Sequence, residues 1–184
     1  KIDAENYLSK ISDTGMEVFI LRFATAFGLS DRMRFDLTVN EFTRELSIGN
    51  DLLVYDANTW RPYCHVKDFA RLIKLVIEAP DEKTGWEVFN AGGEKNNATK
   101  QMIVNMITKK IPNSTVKYQE HGSDPRNYRV DFSKVNSVLG FEPKFSINDG
   151  IEEIISEIKN KKFSHVDENK DYYGNYNINY SLVK

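Results

Sequence analysis

Cysteine, histidine and long apolar runs are scarce in this sequence of 184 residues. The single cysteine, Cys64, excludes a disulfide framework within the chain and fits a reducing compartment. No apolar run approaches the roughly 20 residues that a membrane-spanning helix needs. A formal net charge of -2 offers no basic face for nucleic acid. We therefore expect a cytoplasmic protein with neither nucleic acid nor a membrane as its partner, and no metal site is predicted.

The sequence also lacks an initial methionine, and its Gly92-Gly93 pair lacks the spacing of a dinucleotide phosphate loop. The sequence does not begin with Met, and its first residues have the apolar spacing of a helix with no N-cap before it. We therefore expect the N-terminal part of a longer protein to precede Lys1. The pair Gly92-Gly93 lacks the G-x-G-x-x-G spacing of a dinucleotide phosphate loop, so that loop is not expected within these residues.

Helical and strand-like segments alternate along the chain. Residues 17–24 form a continuous apolar run with aromatic and β-branched side chains, typical of a strand buried on both faces, in which Arg22 is a paired charge or an edge group. Such alternation favours an α/β architecture with a parallel sheet. Further strands are predicted at 52–55, 86–91 and 116–119, and helices at 35–46, 97–110 and 133–139.

The stretch of residues 60–80, WRPYCHVKDFARLIKLVIEAP, predicts a strand-to-helix corner. Asp68 is the predicted N-cap, because a carboxylate there can accept the free N–H groups of the first turn. Arg61 lies at the mouth of this corner, either as a clamp for an anion or as a surface arginine in an ordinary loop, and its spacing leaves both readings open. Apolar residues at helical spacing then predict one buried stripe, formed by Phe69, Leu72, Ile73, Val76 and Ile77.

The last predicted helix begins at Ser146, where Asp149 takes the place of the usual Glu in a reciprocal capping box. After Lys161 the sequence is rich in Asn, Tyr, Asp and Lys, and its apolar residues have no clear periodicity. We interpret this tail, residues 161–184, as a loosely attached arm or as a segment that depends on a partner.

Five short motifs follow one another along the chain. They are KIDAE at 1–5, LRF and FG within 21–28, RPY and HVKD within 61–68, FNAGG at 89–93, and DFSK and LGFEP within 131–143. In this order and spacing they resemble the C-terminal half of an extended short-chain dehydrogenase, of the nucleotide-sugar epimerase/dehydratase group. No motif is specific by itself; the strength of the resemblance lies in the five together, which span residues 1–159.

The resemblance implies an α/β fold: the C-terminal part of a Rossmann-like NAD(P)-binding fold, interleaved with a smaller substrate-binding domain over residues 1–160 and followed by the tail. It implies an NAD-dependent or NADP-dependent epimerase or 4,6-dehydratase that acts on a nucleotide-diphosphate sugar through a 4-keto intermediate. The family's Gly-rich loop and catalytic tyrosine would lie in a missing N-terminal half, so this chain alone is predicted to be inactive. A homodimer, formed through helices that include the one at Lys1, is expected.

The resemblance also assigns residues to the cofactor. Lys1 matches the lysine of the family's Tyr-x-x-x-Lys pair, which holds the nicotinamide ribose and lowers the pKa of the tyrosine, so Lys1 is the predicted catalytic and cofactor-binding lysine. Thr25 stands where many members have an asparagine near the nicotinamide and the sugar. By the same resemblance His65 is a structural corner residue, and Cys64 is interpreted as a small buried hydrophobe.

Four residues are predicted to bind the nucleotide sugar. Arg61 matches the family arginine that holds the diphosphate, where a guanidinium offers a fork of donors to phosphate oxygens. Arg126 is predicted to make a second phosphate contact. Asp36 and Leu37 fall near the segment that contacts the nucleotide sugar in the family.

A second hypothesis is a stand-alone module that binds a nucleotide sugar or a protein partner on the same fold without catalysis. The two hypotheses differ in how the chain behaves by itself. A piece cut from a larger sheet would expose the apolar edge of strand 17–24 and self-associate, whereas a true module would be a monomer.

Overall fold

The computed structural model of this chain describes residues 2–11, 15, 18–80, 85–122 and 126–175. The predicted alternation of helices and strands is present in these residues. The strands are β1 (Ile20–Phe23), β2 (Thr25–Phe27), β3 (Leu52–Tyr55), β4 (Trp60–His65), β5 (Val88–Ala91), β6 (Asn97–Thr99) and β7 (Val116–Gln119). The helices are α1 (Ile2–Leu8), α2 (Thr38–Ser47), α3 (Val66–Glu78), α4 (Lys100–Thr108), α5 (Ser133–Leu139), α6 (Ile147–Lys159) and α7 (Lys170–Tyr173).

Three small sheets organise the strands. β1 pairs in parallel with β5, and β3 pairs in parallel with β7. The central sheet has β4 in the middle, parallel to β2 and antiparallel to β6. Parallel strands joined through helices confirm the α/β prediction. The predicted helix at 97–110 is wrong at its start, because residues 97–99 extend the central sheet as β6 before α4 begins.

The corner between β4 and α3 differs from the prediction at its cap. His65, rather than Asp68, is the N-cap of α3, since its imidazole accepts the backbone N–H of Lys67. The Asp68 carboxylate is fully buried and is occupied elsewhere: it accepts the backbone N–H groups of Lys144 at 3.0 Å and Phe145 at 2.9 Å. Asp68 therefore fixes the segment before α6 to the first turn of α3.

The apolar stripe of α3 is rotated relative to the prediction. Leu72 and Val76 are buried, but Ile73 is 39% exposed and Ile77 is 66% exposed. Leu75, which the predicted stripe did not include, packs against the buried cluster. The prediction of a strand buried on both faces is also wrong for β1, where Phe23 is 48% exposed. Both errors come from reading every apolar position as buried, although soluble proteins expose many apolar side chains.

Arg22 on β1 is a paired charge, which is the first of the two predicted alternatives. Its Nη2 lies 2.5 Å from Glu5 Oε2 of α1. The pair joins the first helix to the strand edge, and it lowers the pKa of the Glu5 carboxyl through the hydrogen bond from Arg22.

The main core lies between the central sheet and helices α2, α4 and α6. The apolar residues Val39, Phe42 and Leu46 of α2 are all buried there. The capping box that begins α6 is present: the Ser146 side chain accepts the Asp149 backbone N–H, and the Asp149 carboxylate accepts the N–H of Ser146. This cap fixes where α6 starts, and α6 then packs along α2.

The tail packs more closely than predicted. Phe163, Val166 and Tyr173 are at most 7% exposed and form a buried cluster with Met33, Phe35 and Ile154. The interpretation of a loosely attached arm is therefore wrong for residues 163–173. Residues 176–184 lie outside the described part of the chain, and the predicted domain boundary at 160 stays a prediction.

Candidate functional site

One face of β4 carries the residues around which a site can be built. Side chains alternate along a strand, so Arg61, Tyr63 and His65 share a face. The parallel register pairs Thr25 with Tyr63 and Phe27 with His65, which brings β2 side chains onto the same face. The predicted residues Thr25 and Arg61 therefore belong to one sheet surface.

Arg61 is held by its surroundings in a fixed position. It is only 8% exposed, its Nη1 donates to the carbonyl oxygen of Trp60 at 3.0 Å, and its guanidinium carbon lies 5.2 Å from the centre of the Tyr128 ring. A buried, stacked guanidinium is a costly placement for an ordinary surface arginine, and it is how proteins present a planar fork of donors to an anion. Arg61 is therefore buried on a strand rather than exposed in a loop, and its binding of an anion stays a prediction.

Tyr63 is a candidate that the sequence reasoning missed. Its side chain is fully buried, and within the described residues its hydroxyl has no hydrogen-bond partner. Burial raises the pKa of Tyr63 to about 12, so the hydroxyl stays a donor at neutral pH. Thr38 lies beside this hydroxyl and opposes the rise in pKa, but the pair does not meet hydrogen-bond geometry. The alternation along β4 could have revealed Tyr63 as a neighbour of Arg61.

The N-terminus of α2 is the second component of the site. Its N-cap is Leu37, an extended residue without a side-chain cap. The first N–H groups of a helix lack partners within the helix and carry a partial positive charge, so they favour an anion. Since Thr38 begins α2 beside Tyr63, the helix start and the β4 face meet at the Tyr63 hydroxyl.

The loop that carries Arg126 lies against the start of β4. The side-chain oxygen of Asn127 accepts the backbone N–H of Trp60 at 2.9 Å, and the N–H of Tyr128 donates to the Trp60 carbonyl at 3.2 Å. Arg126 itself is exposed. The fold therefore brings the segments of the two predicted phosphate-binding arginines to the same end of β4, and the Asn127 and Tyr128 contacts are the ones that sequence reasoning did not identify.

A cleft of about 370 Å³ opens beside this loop. Its volume falls within the roughly 300–1,000 Å³ range of small-molecule sites. The cleft is lined by Asp56, Asn58, Thr59, Glu120, His121, Gly122 and Asn127.

The remaining predicted residues have different surroundings. Asp36 makes two hydrogen bonds with Arg34, each at 2.6 Å, and its side chain is 2% exposed. Lys1, the predicted catalytic lysine, lies outside the described residues. Among the described residues no group of three or more His, Cys, Asp or Glu is placed to hold a metal ion. Within the same part of the chain, every helix is too short or too polar to cross a bilayer.

The fold agrees with the comparisons with known proteins. A family profile described as "NAD dependent epimerase/dehydratase family" matches residues 1–92. The chain belongs to this family, and the predicted resemblance is confirmed. The family is NAD-dependent, and its solved structural neighbours include complexes with NAD and with NADPH, which confirms the predicted cofactor class at the level of the family.

Two curated relatives illustrate the match. The chain is 24% identical over 147 residues to UDP-glucuronate 4-epimerase of Thermodesulfobacterium geofontis, covering 77% of this chain and 43% of that protein. It is 29% identical over 147 residues to dTDP-glucose 4,6-dehydratase of an Actinoplanes species, covering 77% of this chain and 44% of that protein. The chain thus spans less than half the length of these relatives.

Solved structures give the same fold. UDP-glucose 4-epimerase of Thermotoga maritima superposes with a TM-score of 0.75 at 24% identity, covering 88% of this chain and 52% of that one. UDP-glucuronic acid 4-epimerase of Bacillus cereus gives a TM-score of 0.73 at 22% identity, covering 87% and 50%. The predicted Rossmann-like epimerase/dehydratase fold is confirmed.

Proposed function

We propose that the full gene product containing this chain is an NAD(P)-dependent nucleotide-sugar epimerase or 4,6-dehydratase that acts through a 4-keto sugar, and that this chain supplies most of its nucleotide-sugar site. The observation that carries the proposal is the buried guanidinium of Arg61, on the same strand face as Tyr63, whose hydroxyl lies beside the uncapped start of α2. A guanidinium, a hydroxyl donor and helix N–H groups together suit a diphosphate. Relatives that act on UDP and dTDP sugars support this ligand class.

The described residues fit one end of the dinucleotide. Thr25 is half-buried and begins β2 directly after β1, so it lies at the carboxyl end of a parallel strand, where open α/β sheets bind their ligands. We assign Thr25 and Lys1 to the nicotinamide end. When bound, the dinucleotide would supply the acceptance of hydride from the sugar C4 and its later return to the sugar.

The protein residues then have separate roles. Arg61 and Arg126 bind the diphosphate, and Leu37 lies at the helix start that faces it. Holding the diphosphate fixes the distance from the phosphates to the sugar, so the C4 hydroxyl is oriented toward the base. The positive charge of Lys1 lowers the pKa of the family's catalytic tyrosine, which removes the C4 hydroxyl proton.

Binding of UDP and dTDP to the full gene product, measured by calorimetry, tests the site. Arg61→Ala should weaken nucleotide binding by about 2 kcal/mol, or about thirtyfold in Kd, because it removes a charge-assisted pair. Arg61→Lys should fall in between, since an ammonium keeps the charge but not the fork. Lys117→Ala is the matched control, because it removes an exposed charge that pairs with Asp51 at the surface.

Equal affinity of wild type and Arg61→Ala would move the diphosphate site elsewhere. Turnover of UDP sugars with added NAD separates the two hypotheses of function: binding without turnover by the full gene product favours the binding module. We further propose that residues 1–184 alone do not catalyse the reaction, since their curated relatives are more than twice as long as the matched part. Turnover by this polypeptide alone would contradict that proposal.

We also propose a homodimer built on α1. No residue of α1 is buried, and Ile2 and Tyr7 are 73% and 66% exposed. Light scattering of the full gene product tests this assembly: Tyr7→Lys should shift a dimer to a monomer, whereas Tyr172→Lys, at another exposed tyrosine, should not.

A further inference from the structure

We propose that residues 163–175, here called the strap, hold the loop of residues 29–37 in the conformation that presents the start of α2 to the nucleotide sugar, and that Asp36 is a positioning residue at this junction. The inference rests on the proposed function, because that function makes the α2 start part of the substrate site. The inference assigns a role to the strap and to the Asp36 carboxylate, which the family resemblance predicted to lie near the nucleotide sugar.

Hydrogen bonds of the main chain and of side chains join the strap to the loop in both directions. The backbone N–H of Phe35 donates to the carbonyl oxygen of Tyr173 at 2.8 Å. The backbone N–H of Asn175 donates to Oδ2 of Asp36 at 2.9 Å. The Asn175 side chain then accepts from Nη2 of Arg32 at 3.2 Å. The strap therefore contacts the loop at residues 32, 35 and 36.

The surroundings of Asp36 leave little room for a direct role toward the sugar. Its carboxylate accepts two hydrogen bonds from Arg34 and one from Asn175, and its side chain is 2% exposed. Burial raises the pKa of Asp36, but these hydrogen bonds outweigh it and hold the pKa below its ordinary value. Asp36 thus stays ionised and connects the loop to the strap.

Apolar packing strengthens the same junction. The Phe35 ring meets the Phe163 ring edge-on at 5.2 Å and lies 5.9 Å from the Tyr173 ring. The Tyr173 hydroxyl lies 2.7 Å from Nε2 of His165, which fixes the ring within the strap. Phe35 is therefore enclosed by two aromatic side chains from the strap.

A buried charge also ties the strap to α2 itself. Arg44 is 6% exposed, and its Nη2 lies 2.8 Å from Oδ2 of Asp167. The same guanidinium lies 5.5 Å from the centre of the Phe35 ring. The strap therefore holds both the loop and the helix that the loop leads into.

The loop needs such support because of its position. It connects the carboxyl end of β2 to Leu37, the N-cap of α2, and residues 29–36 form neither helix nor strand. A segment without its own ladder of hydrogen bonds opens at low free-energy cost unless other elements hold it. Ligand affinity then falls with the fraction of molecules in the competent conformation.

Tyr173→Ala in the full gene product tests the strap, with Tyr173→Phe as the matched control. Tyr173→Ala removes the ring that encloses Phe35, whereas Tyr173→Phe keeps the ring and loses only the hydroxyl contact with His165. Hydrogen exchange of the peptide covering residues 29–41 reports the loop. Calorimetry with UDP and dTDP reports the site, and binding of NAD reports the integrity of the rest of the protein.

For Tyr173→Ala we expect faster exchange in residues 29–37 and about tenfold weaker nucleotide binding, with NAD binding unchanged. Tyr173→Phe, which loses the hydroxyl contact but keeps the ring against Phe35, should change both much less. Unchanged exchange in Tyr173→Ala would overturn the strap. Faster exchange with unchanged nucleotide affinity would overturn its positioning role. A wild-type protein that binds neither UDP nor dTDP would refute the proposed function, while the exchange data would still decide whether the strap holds the loop.

Asp36→Asn covers the case in which Tyr173→Ala does not fold. The amide keeps the size of the side chain but removes the charge that Arg34 and the Asn175 N–H contact. Faster exchange in residues 29–37 and weaker nucleotide binding are expected, and wild-type values for both would overturn the assignment of Asp36.

Discussion

Nε2 of the buried His65 lies 2.8 Å from Oε2 of Glu153, and this pair joins the β4–α3 corner to α6. The other ring nitrogen, Nδ1, accepts the backbone N–H of Lys67 at 3.1 Å. An acceptor at Nδ1 places the proton of the neutral ring on Nε2, which donates to Glu153. The Phe145 ring stacks on the imidazole at 4.6 Å. His65 therefore has a structural role, in agreement with the sequence-based assignment.

Glu153→Ala should lower the free energy of unfolding by about 1–3 kcal/mol, because it leaves the buried Nε2–H of His65 without its acceptor. Glu153→Gln should cost less, since an amide oxygen can still accept that hydrogen bond. Chemical denaturation measures both. Lys67→Ala is the control, because the exposed Lys67 contacts the other oxygen of the Glu153 carboxylate. This substitution should lower the free energy of unfolding by no more than about 1 kcal/mol. Equal losses for Ala and Gln would show that charge, not the hydrogen bond, dominates.

Acidification should remove the stability that Glu153 contributes. Burial raises the pKa of Glu153, but hydrogen bonds from Lys67 and His65 outweigh it and hold the pKa below its ordinary value of 4.5. A lowered pKa in the folded state means that the contribution is present above the ordinary value and is lost as the pH falls through the lowered one. The difference in unfolding free energy between wild type and Glu153→Gln should therefore shrink below pH 4.5. A difference that stays constant down to pH 3 would contradict this linkage.

Gly28→Ala should destabilise the protein more than Gly49→Ala. Both glycines have positive φ angles, +97° and +85°, so each alanine carries the left-handed backbone penalty of about 1–2 kcal/mol. A Cβ at residue 28 would lie 2.1 Å from Nε2 of His65, whereas a Cβ at residue 49 meets nothing within 4 Å. The overpacking at residue 28 adds about 1–3 kcal/mol. Equal unfolding midpoints for the two variants would contradict the close approach to His65.

Tyr63→Phe should leave the stability of the ligand-free protein unchanged or raise it by about 1 kcal/mol, because the buried hydroxyl has no hydrogen-bond partner among the described residues. Tyr173→Phe is the comparison, since it removes a hydroxyl that contacts His165 and should cost about 1 kcal/mol. Thermal unfolding of the two variants gives the contrast directly. A marked loss for Tyr63→Phe would reveal a partner for that hydroxyl.

Local sequence patterns predicted the elements that depend on neighbouring residues. The capping box at Ser146 and the strands Leu52–Tyr55 and Val116–Gln119 are all present as predicted. Each depends on side-chain periodicity or on hydrogen bonds that span three or four residues. The five motifs likewise identified the family, since motif order is a property of the sequence alone.

Contacts between distant segments could not be read in the same way. Asp68 was predicted as an N-cap from its position near the start of a helix. Its carboxylate instead accepts the backbone N–H groups of Lys144 and Phe145, which lie more than 70 residues away in the sequence. The alternation along β4 places Tyr63 beside Arg61, but the enclosure of its hydroxyl depends on the register of β2 with β4 and on the start of α2, which no local pattern predicts. Part of the candidate site was thus predictable, namely the strand that carries Arg61, but not the groups around it.

The sequence by itself determined the α/β class, the family and the strand-to-helix corner, because periodicity, caps and motif order are written in residues close along the chain. Only the tertiary structure decided that Arg61 is buried against Tyr128, that His65 rather than Asp68 caps α3, and that the tail packs on residues 33–35. The physical reason is that burial and hydrogen-bond partners depend on which segments, distant in sequence, pack against each other. The close packing between those segments offsets the loss of chain entropy on folding, and no local sequence pattern encodes it.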